Sequence, residues 1–188
     1  MRCNSGGSSG VALNTSTLTV AAGSEIGFGI DETFGHPGPQ LAYLSRVPEG
    51  QTAATYDGRG DWVKLYAAST LANSSWAEPE GLVWAIRRKH SFLFTLPAET
   101  PPGEYLLRAE GIALHAAHKL NRNGAGTLGP LVKFPGAYTP TTPGVLIPDF
   151  WTFIRNYTMP GPELWPAGTK ETHVIKTFPP LEEGEDDD

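Results

Sequence analysis

A single cysteine, Cys3, stands in a chain of 188 residues. It cannot close an internal disulfide, and zinc sites built on Cys-x-x-Cys are excluded with it. Charge is sparse, at 18% of residues, and the balance is acidic, with a formal net charge of −6. No basic stripe exists of the kind that nucleic acid or anionic lipid requires, so neither is expected as a partner. No apolar run approaches membrane-spanning length, and residues 1–30 lack the basic, apolar, small-residue order of a secretory leader. His-Glu-x-x-His, His-x-His, the Gly-x-Ser-x-Gly elbow, the P-loop and a Gly-x-Gly-x-x-Gly in a strand-to-helix setting are also missing. Their absence removes the common hydrolase and nucleotide-binding readings.

What is present favours strands. Gly (22) and Pro (17) are frequent, helical apolar periodicity is scarce, and Val, Thr, Tyr, Trp and Phe punctuate short alternating runs. The expectation is a single domain with an all-β sandwich or barrel fold and little helix. Residues 17–30, "TLTVAAGSEIGFGI", read as a hairpin with Leu18, Val20, Ile26, Phe28 and Ile30 inward. "QLAYLSRV" reads as a short apolar strand. "YDGRGDWVKLYAA" reads as a Gly-rich turn feeding a strand with Trp62, Lys64 and Tyr66 on one side. Its Arg-Gly-Asp is explained by the turn geometry that Gly58 and Gly60 supply. "HSFLFTLPAETPPGEYLLRAEGIALHAA" gives a strand, a Pro-Gly turn and a long strand, Glu104 to His115, apolar on both faces like a central strand. On it Arg108 and Glu110 share a side at spacing two, most simply as an ion pair.

After His118 the alternation breaks, in "KLNRNGAGTLGPLVKFPGAYTPTTPG". From Val145 the chain reads as a wrapping loop bearing aromatics, Trp151 and Trp165 among them. Residues 181–188 form an acidic run expected to be solvated and disordered, which leaves 1–180 as the domain. Asn14, Asn73 and Asn156 open Asn-x-Ser/Thr triplets, a hint of a secreted protein.

The histidines are His36, His90, His115, His118 and His173. Taken singly, His36 is a turn histidine and His115 a core histidine bonded to the backbone. Together they stand at the mouths of two expected strands, one in a Pro-Gly-Pro turn, and could converge at one end of a sandwich. An imidazole-rich site with few carboxylates suits copper among other metals. The aromatics of "FWTFIRNYTMPGPELW" could form a flat platform for sugar rings, or pack in the core.

These motifs resemble a known family over most of the chain. "MRCN", "HPGPQLAYLSRVP", "YDGRGDWVKLY", "TPPGEYLLRAEGIALHAA", "PGAYTPTTPG" and "NYTMPGPELW" are similar, in order, to segments of the fungal copper-dependent lytic polysaccharide monooxygenases of auxiliary activity family nine, formerly glycoside hydrolase family sixty-one. The resemblance implies an immunoglobulin-like β-sandwich with a flat face for crystalline cellulose. It implies one copper ion, an external electron donor, dioxygen or peroxide as oxidant, hydroxylation at C1 or C4 of a glucose unit, a monomeric state and an extracellular location. Position by position, His36 matches the second ligand of the family's histidine brace. His115 matches the histidine that hydrogen-bonds the oxygen species, and Tyr157 matches an aromatic of the cellulose-facing surface. Arg108 and Glu110 lie in the signature strand, where they would orient His115. Against the family pattern the chain opens after the first brace histidine. It also lacks, after His118, the strand with the axial tyrosine, a glutamine and a cysteine partner for Cys3. A shortened member with weak copper binding is therefore expected. The alternatives are a non-catalytic polysaccharide-binding or copper-binding sandwich, and an inactive chain that does not fold.

Overall fold

The short apolar run after the histidine turn becomes a strand buried on both faces, with Ala42 and Leu44 in one apolar cluster and Leu41 and Tyr43 in another. In the computed structural model, which describes residues 16–72, 74, 82–115, 131–147, 150 and 156–179, six strands form in chain order. They are β1 (Glu25–Gly29), β2 (Gln40–Arg46), β3 (Trp62–Ala68), β4 (Ser91–Thr95), β5 (Tyr105–Gly111) and β6 (Leu131–Val132). β1 and β4 pair antiparallel, and the larger sheet runs β5-β2-β3-β6. Among the described residues none is α-helical, and the fold is the expected all-β sandwich.

Between the two sheets lies an aromatic slab. Tyr66 stacks on Phe92 and Phe94 with centroids 5.4 and 5.2 Å apart, and Phe28 stacks on Phe92 at 5.5 Å. Such pairs add about 0.5–1.5 kcal/mol each beyond the area they bury. Ala42, Leu44 and Leu65 complete this core from the larger sheet. The opposite face of the larger sheet carries a second cluster, Leu41, Tyr43, Trp62 and Ala67, covered by Phe134, Tyr138, Met159 and Leu164 from loops.

The chain after Leu164 laces both sheets together. Leu164 and Thr172 bridge to Lys64 and Ala68 of β3, and Lys176 bridges to Leu93 of β4. A Lys176–Glu25 ion pair of 2.7 Å ties this strap to β1.

Three strand expectations change. Only the second half of the 17–30 hairpin is a strand; Leu18 is 80% exposed, while Ile26 and Phe28 pack on the core as expected. β5 stops at Gly111 rather than His115, and among the described residues it pairs with β2 alone, at a sheet edge. Its backbone leaves the ladder to reach the histidine turn. Trp62 and Tyr66 do not share a face. The β2–β3 register shifts between Ala42 and Tyr43, which pair with Tyr66 and Lys64, so Leu65 is skipped. Trp62 and Lys64 therefore face the loop-covered side and Tyr66 faces the slab. Cys3, Asn14, Asn73, His118, Trp151 and the tail at 181–188 lie outside the described residues.

Candidate functional site

The turn that carries His36 is fastened to the end of β5 by main-chain groups. The Leu114 amide donates to the Pro37 carbonyl at 3.0 Å and the Ile112 amide to that of Pro39 at 3.2 Å. The rings of Pro37 and Pro39 fix φ on both sides of Gly38 and so hold these two carbonyls in place. Gly38 makes the approach possible. It sits at φ 150°, and a Cβ there would stand 1.7 Å from the Ile112 carbonyl oxygen. No side chain can replace that hydrogen without moving one strand end off the other.

The consequence is that His36 and His115, 79 positions apart in sequence, lie side by side. Their rings are near-parallel, 23° between planes, with centroids 5.0 Å apart. His36 is exposed and His115 half-buried, and the His115 ring is also 6.4 Å from that of Phe150, tilted at 54°. Beneath them Leu114, Trp84 and Phe150 form a small buried cluster that holds the floor rigid. The sequence expectation that two strand mouths bring these histidines together is met. Of the other described histidines, His90 is exposed, and His173 belongs to the strap, its Nδ1 2.5 Å from the Thr70 carbonyl.

Arg108 and Glu110 form the expected ion pair, 2.9 Å apart, each about one-seventh exposed (14% and 15%). Glu110 also accepts from the Tyr138 hydroxyl at 2.6 Å, and Tyr138 shares a 2.6 Å hydrogen bond with Tyr43. The Arg108 guanidinium lies over the Phe134 ring at 4.0 Å. Burial works against its charge, but the hydrogen bond and charge of Glu110 outweigh burial and push its pKa up. Burial and the Glu110 charge push both phenols, Tyr43 and Tyr138, well above the ordinary tyrosine value. Nothing in the sequence pattern links Tyr138 to this pair, because loop closure over the sheet creates the contact.

Tyr157, expected on a substrate-facing surface, is half-buried. Its ring packs edge-on against Trp84 with centroids 4.7 Å apart, and its hydroxyl donates to the Gly144 carbonyl at 2.7 Å. Burial pushes its pKa far up. Its ring thus joins the cluster that floors the histidine pair.

The sequence profile of Auxiliary Activity family 9 (formerly GH61) matches residues 1–157. The chain belongs to Auxiliary Activity family 9. Among its relatives, the AA9 family lytic polysaccharide monooxygenase H of Malbranchea cinnamomea is 41% identical over 164 residues, 79% of this chain and 69% of that protein. The AA9 family lytic polysaccharide monooxygenase C of Emericella nidulans is 40% identical over 180 residues, 88% of this chain and 74% of that one. The fold is shared with the glycoside hydrolase family 61 member Cel61B of Hypocrea jecorina, at a TM-score of 0.60 and 28% identity, over 77% of this chain and 68% of that one.

Copper is the metal this family implies, and the donors can be tested against it. Among the described residues no group of three or more His, Cys, Asp or Glu side chains could hold an ion. His36 and His115 offer two adjacent imidazoles with no carboxylate between them, a nitrogen set of the kind copper prefers. Imidazole nitrogen fits copper in donor type, and His36 is the residue of the pair that would hold it.

Proposed function

We propose that this chain acts in the copper-dependent oxidative cleavage of polysaccharide, with cellulose or a related β-1,4-glucan as substrate. Family membership supports oxidative polysaccharide cleavage in general. The observation that carries the site assignment is the His36–His115 pair, 5.0 Å apart and held by main-chain hydrogen bonds.

His36 would donate a ring nitrogen to copper. Bound copper supplies the one-electron chemistry that makes dioxygen or peroxide reactive toward a C–H bond. The rest falls to the chain. The turn holds the imidazole of His36 at the surface, where a polymer too large to enter a pocket can meet it. His115, half-buried beside His36 and Phe150, can exchange a hydrogen bond or proton with the oxidant next to His36. The Arg108–Glu110–Tyr138–Tyr43 network pins β5 to β2, so that residues 112–115 leave the sheet from a fixed point and His115 keeps its orientation. The exposed part of the Tyr157 ring is offered to the sugar face, with Trp84 and Gly144 holding it. An extracellular location, an external electron donor and a monomeric state complete the reading.

Copper titration followed by electron spin resonance, with product analysis on cellulose, tests this. The expected result is a nitrogen-coordinated copper signal lost in His36→Ala, and oxidised oligosaccharides whose yield falls in both His36→Ala and His115→Ala. An unchanged signal in His36→Ala would remove His36 from the metal site. A copper signal without oxidised products would favour a non-catalytic copper-binding sandwich. Retention on cellulose by Tyr157→Phe but not by Tyr157→Ala would mark the ring, not the hydroxyl, as the substrate contact.

A further inference from the structure

Residues 156–160 run along the surface with no regular secondary structure, and their side chains alternate. Asn156 and Thr158 are exposed, Tyr157 and Met159 half-buried, and Pro160 is buried. The inward members anchor the stretch. The Tyr157 hydroxyl donates to the Gly144 carbonyl at 2.7 Å, and Met159 packs on the cluster of Leu41, Tyr43 and Trp62. The Thr158 main chain closes on the same loop, since a Cβ on Gly144 would stand 1.8 Å from the Thr158 carbonyl oxygen. The outward members are unused. Among the described residues the Asn156 carboxamide and the Thr158 hydroxyl make no hydrogen bond, and neither the metal reading nor the polymer reading employs them.

Asn156-Tyr157-Thr158 is an Asn-x-Thr acceptor sequence with no proline at its centre. The triplet alone does not make a site, because an attached oligosaccharide is bulky and must stay in water. The structure meets that condition. An exposed asparagine has room for the added group, and a carboxamide with no partner gives up no hydrogen bond when its nitrogen is substituted. Thr158, two residues on, is turned to solvent as well, so amide and hydroxyl are presented together. We propose that Asn156 is a site of N-glycosylation, an inference that rests on the extracellular reading above. The step is a substitution without redox change. The Asn156 Nδ2 bonds to C1 of the first sugar of a lipid diphosphate-linked oligosaccharide, the C1–O bond to the diphosphate breaks, and one amide proton is released with the lipid diphosphate. The clamp at Gly144 gives the glycan a fixed base, one residue from Tyr157.

The test expresses the full chain in a eukaryotic secretory host behind a cleavable leader and maps glycopeptides by mass spectrometry, in cell-retained and secreted protein. Leader cleavage shows that a molecule has entered the lumen where transfer occurs. Asn156 is expected to carry a glycan in that material, and peptide-N-glycosidase should convert it to aspartate. Asn156→Gln and Thr158→Ala should each lose the modification at this position, while Thr158→Ser, which keeps the hydroxyl, should retain it. A bare Asn156 in leader-cleaved chain overturns the proposal, whatever Asn14 and Asn73 carry. So does a glycan present in retained chain and missing from secreted chain, since the folded surface would then exclude it. Because the leader delivers the chain, the outcome is independent of where the natural host places it; export from that host tests the extracellular reading separately.

Discussion

The middle of the signature strand and the stretch just past its end make an instructive contrast. In its middle, Arg108 and Glu110 spend their charges on each other, on Tyr138 and on the Phe134 ring, under a cover of loops. Just past its end, His115 meets His36 at the surface, and the fastening is done by the main chain of Pro37, Pro39, Ile112 and Leu114. Polar groups on one short stretch thus divide between holding the fold and facing outward. What separates them is whether the backbone or the side chains carry the fastening.

The largest effect should come from breaking the charge pair. Glu110→Ala leaves a mostly buried guanidinium without its counter-ion and removes the acceptor of Tyr138, and a loss of about 3 kcal/mol is expected by urea unfolding. A loss under a tenth of that would mean the network is not structural. Next comes the main-chain fastening. Gly38→Ala forces the turn away from Ile112 at a cost of about 2 kcal/mol, and the His36–His115 pair should separate with it. Copper affinity should therefore fall together with stability, which titration of the same folded variant would show.

A third experiment sets Arg108 against the other buried cation. Lys64, 2% exposed, donates to the Pro160 carbonyl at 2.7 Å, and burial lowers its pKa to about 8, only partly opposed by Glu171 and Glu110. Below pH 8 folded and unfolded chains both hold this proton and stability is flat. From about 8 toward the ordinary 10.5 only the unfolded chain holds it, so stability rises with pH, on the order of 1 kcal/mol. Tyr43, Tyr66, Tyr138 and Tyr157 are raised by burial, so above the ordinary tyrosine value of 10.0 the unfolded chain ionises first and stability falls again. Denaturation midpoints across this range should peak near the crossover, and Lys64→Met should abolish the rise. The smallest effect belongs to the exposed histidine. His36→Ala should change stability by no more than about 0.5 kcal/mol while copper affinity drops by more than the 10- to 100-fold or so typical of losing an outer partner.

Strands β2, β3 and β4 were legible because short apolar runs and the turn residues that bound them agree there. The histidine pair was legible as well, since each member sits at the end of such a run. Less was readable where the fold departs from local pattern. Leu18 and Val20 alternate like a strand, yet without a paired neighbour they are exposed. The skipped Leu65, which sends Tyr66 to the opposite face from Trp62, leaves no trace in a pattern read two residues at a time. Gln40 is 3% exposed, and the space beside its amide oxygen comes from Gly111, 71 positions away in sequence. Tyr138 and Tyr157 were visible as aromatics, but their hydrogen bonds to Glu110 and Gly144 come from loops closing over the sheet.

Two amides, two proline carbonyls and one missing Cβ set the distance between the imidazoles. Of these, only the missing Cβ at Gly38 depends on which side chain the sequence supplies. The turn and its docking segment therefore behave as a portable cassette. Moved together into another sandwich, residues 35–40 and 111–115 should bring their histidine spacing with them, whereas either piece moved alone should lose it.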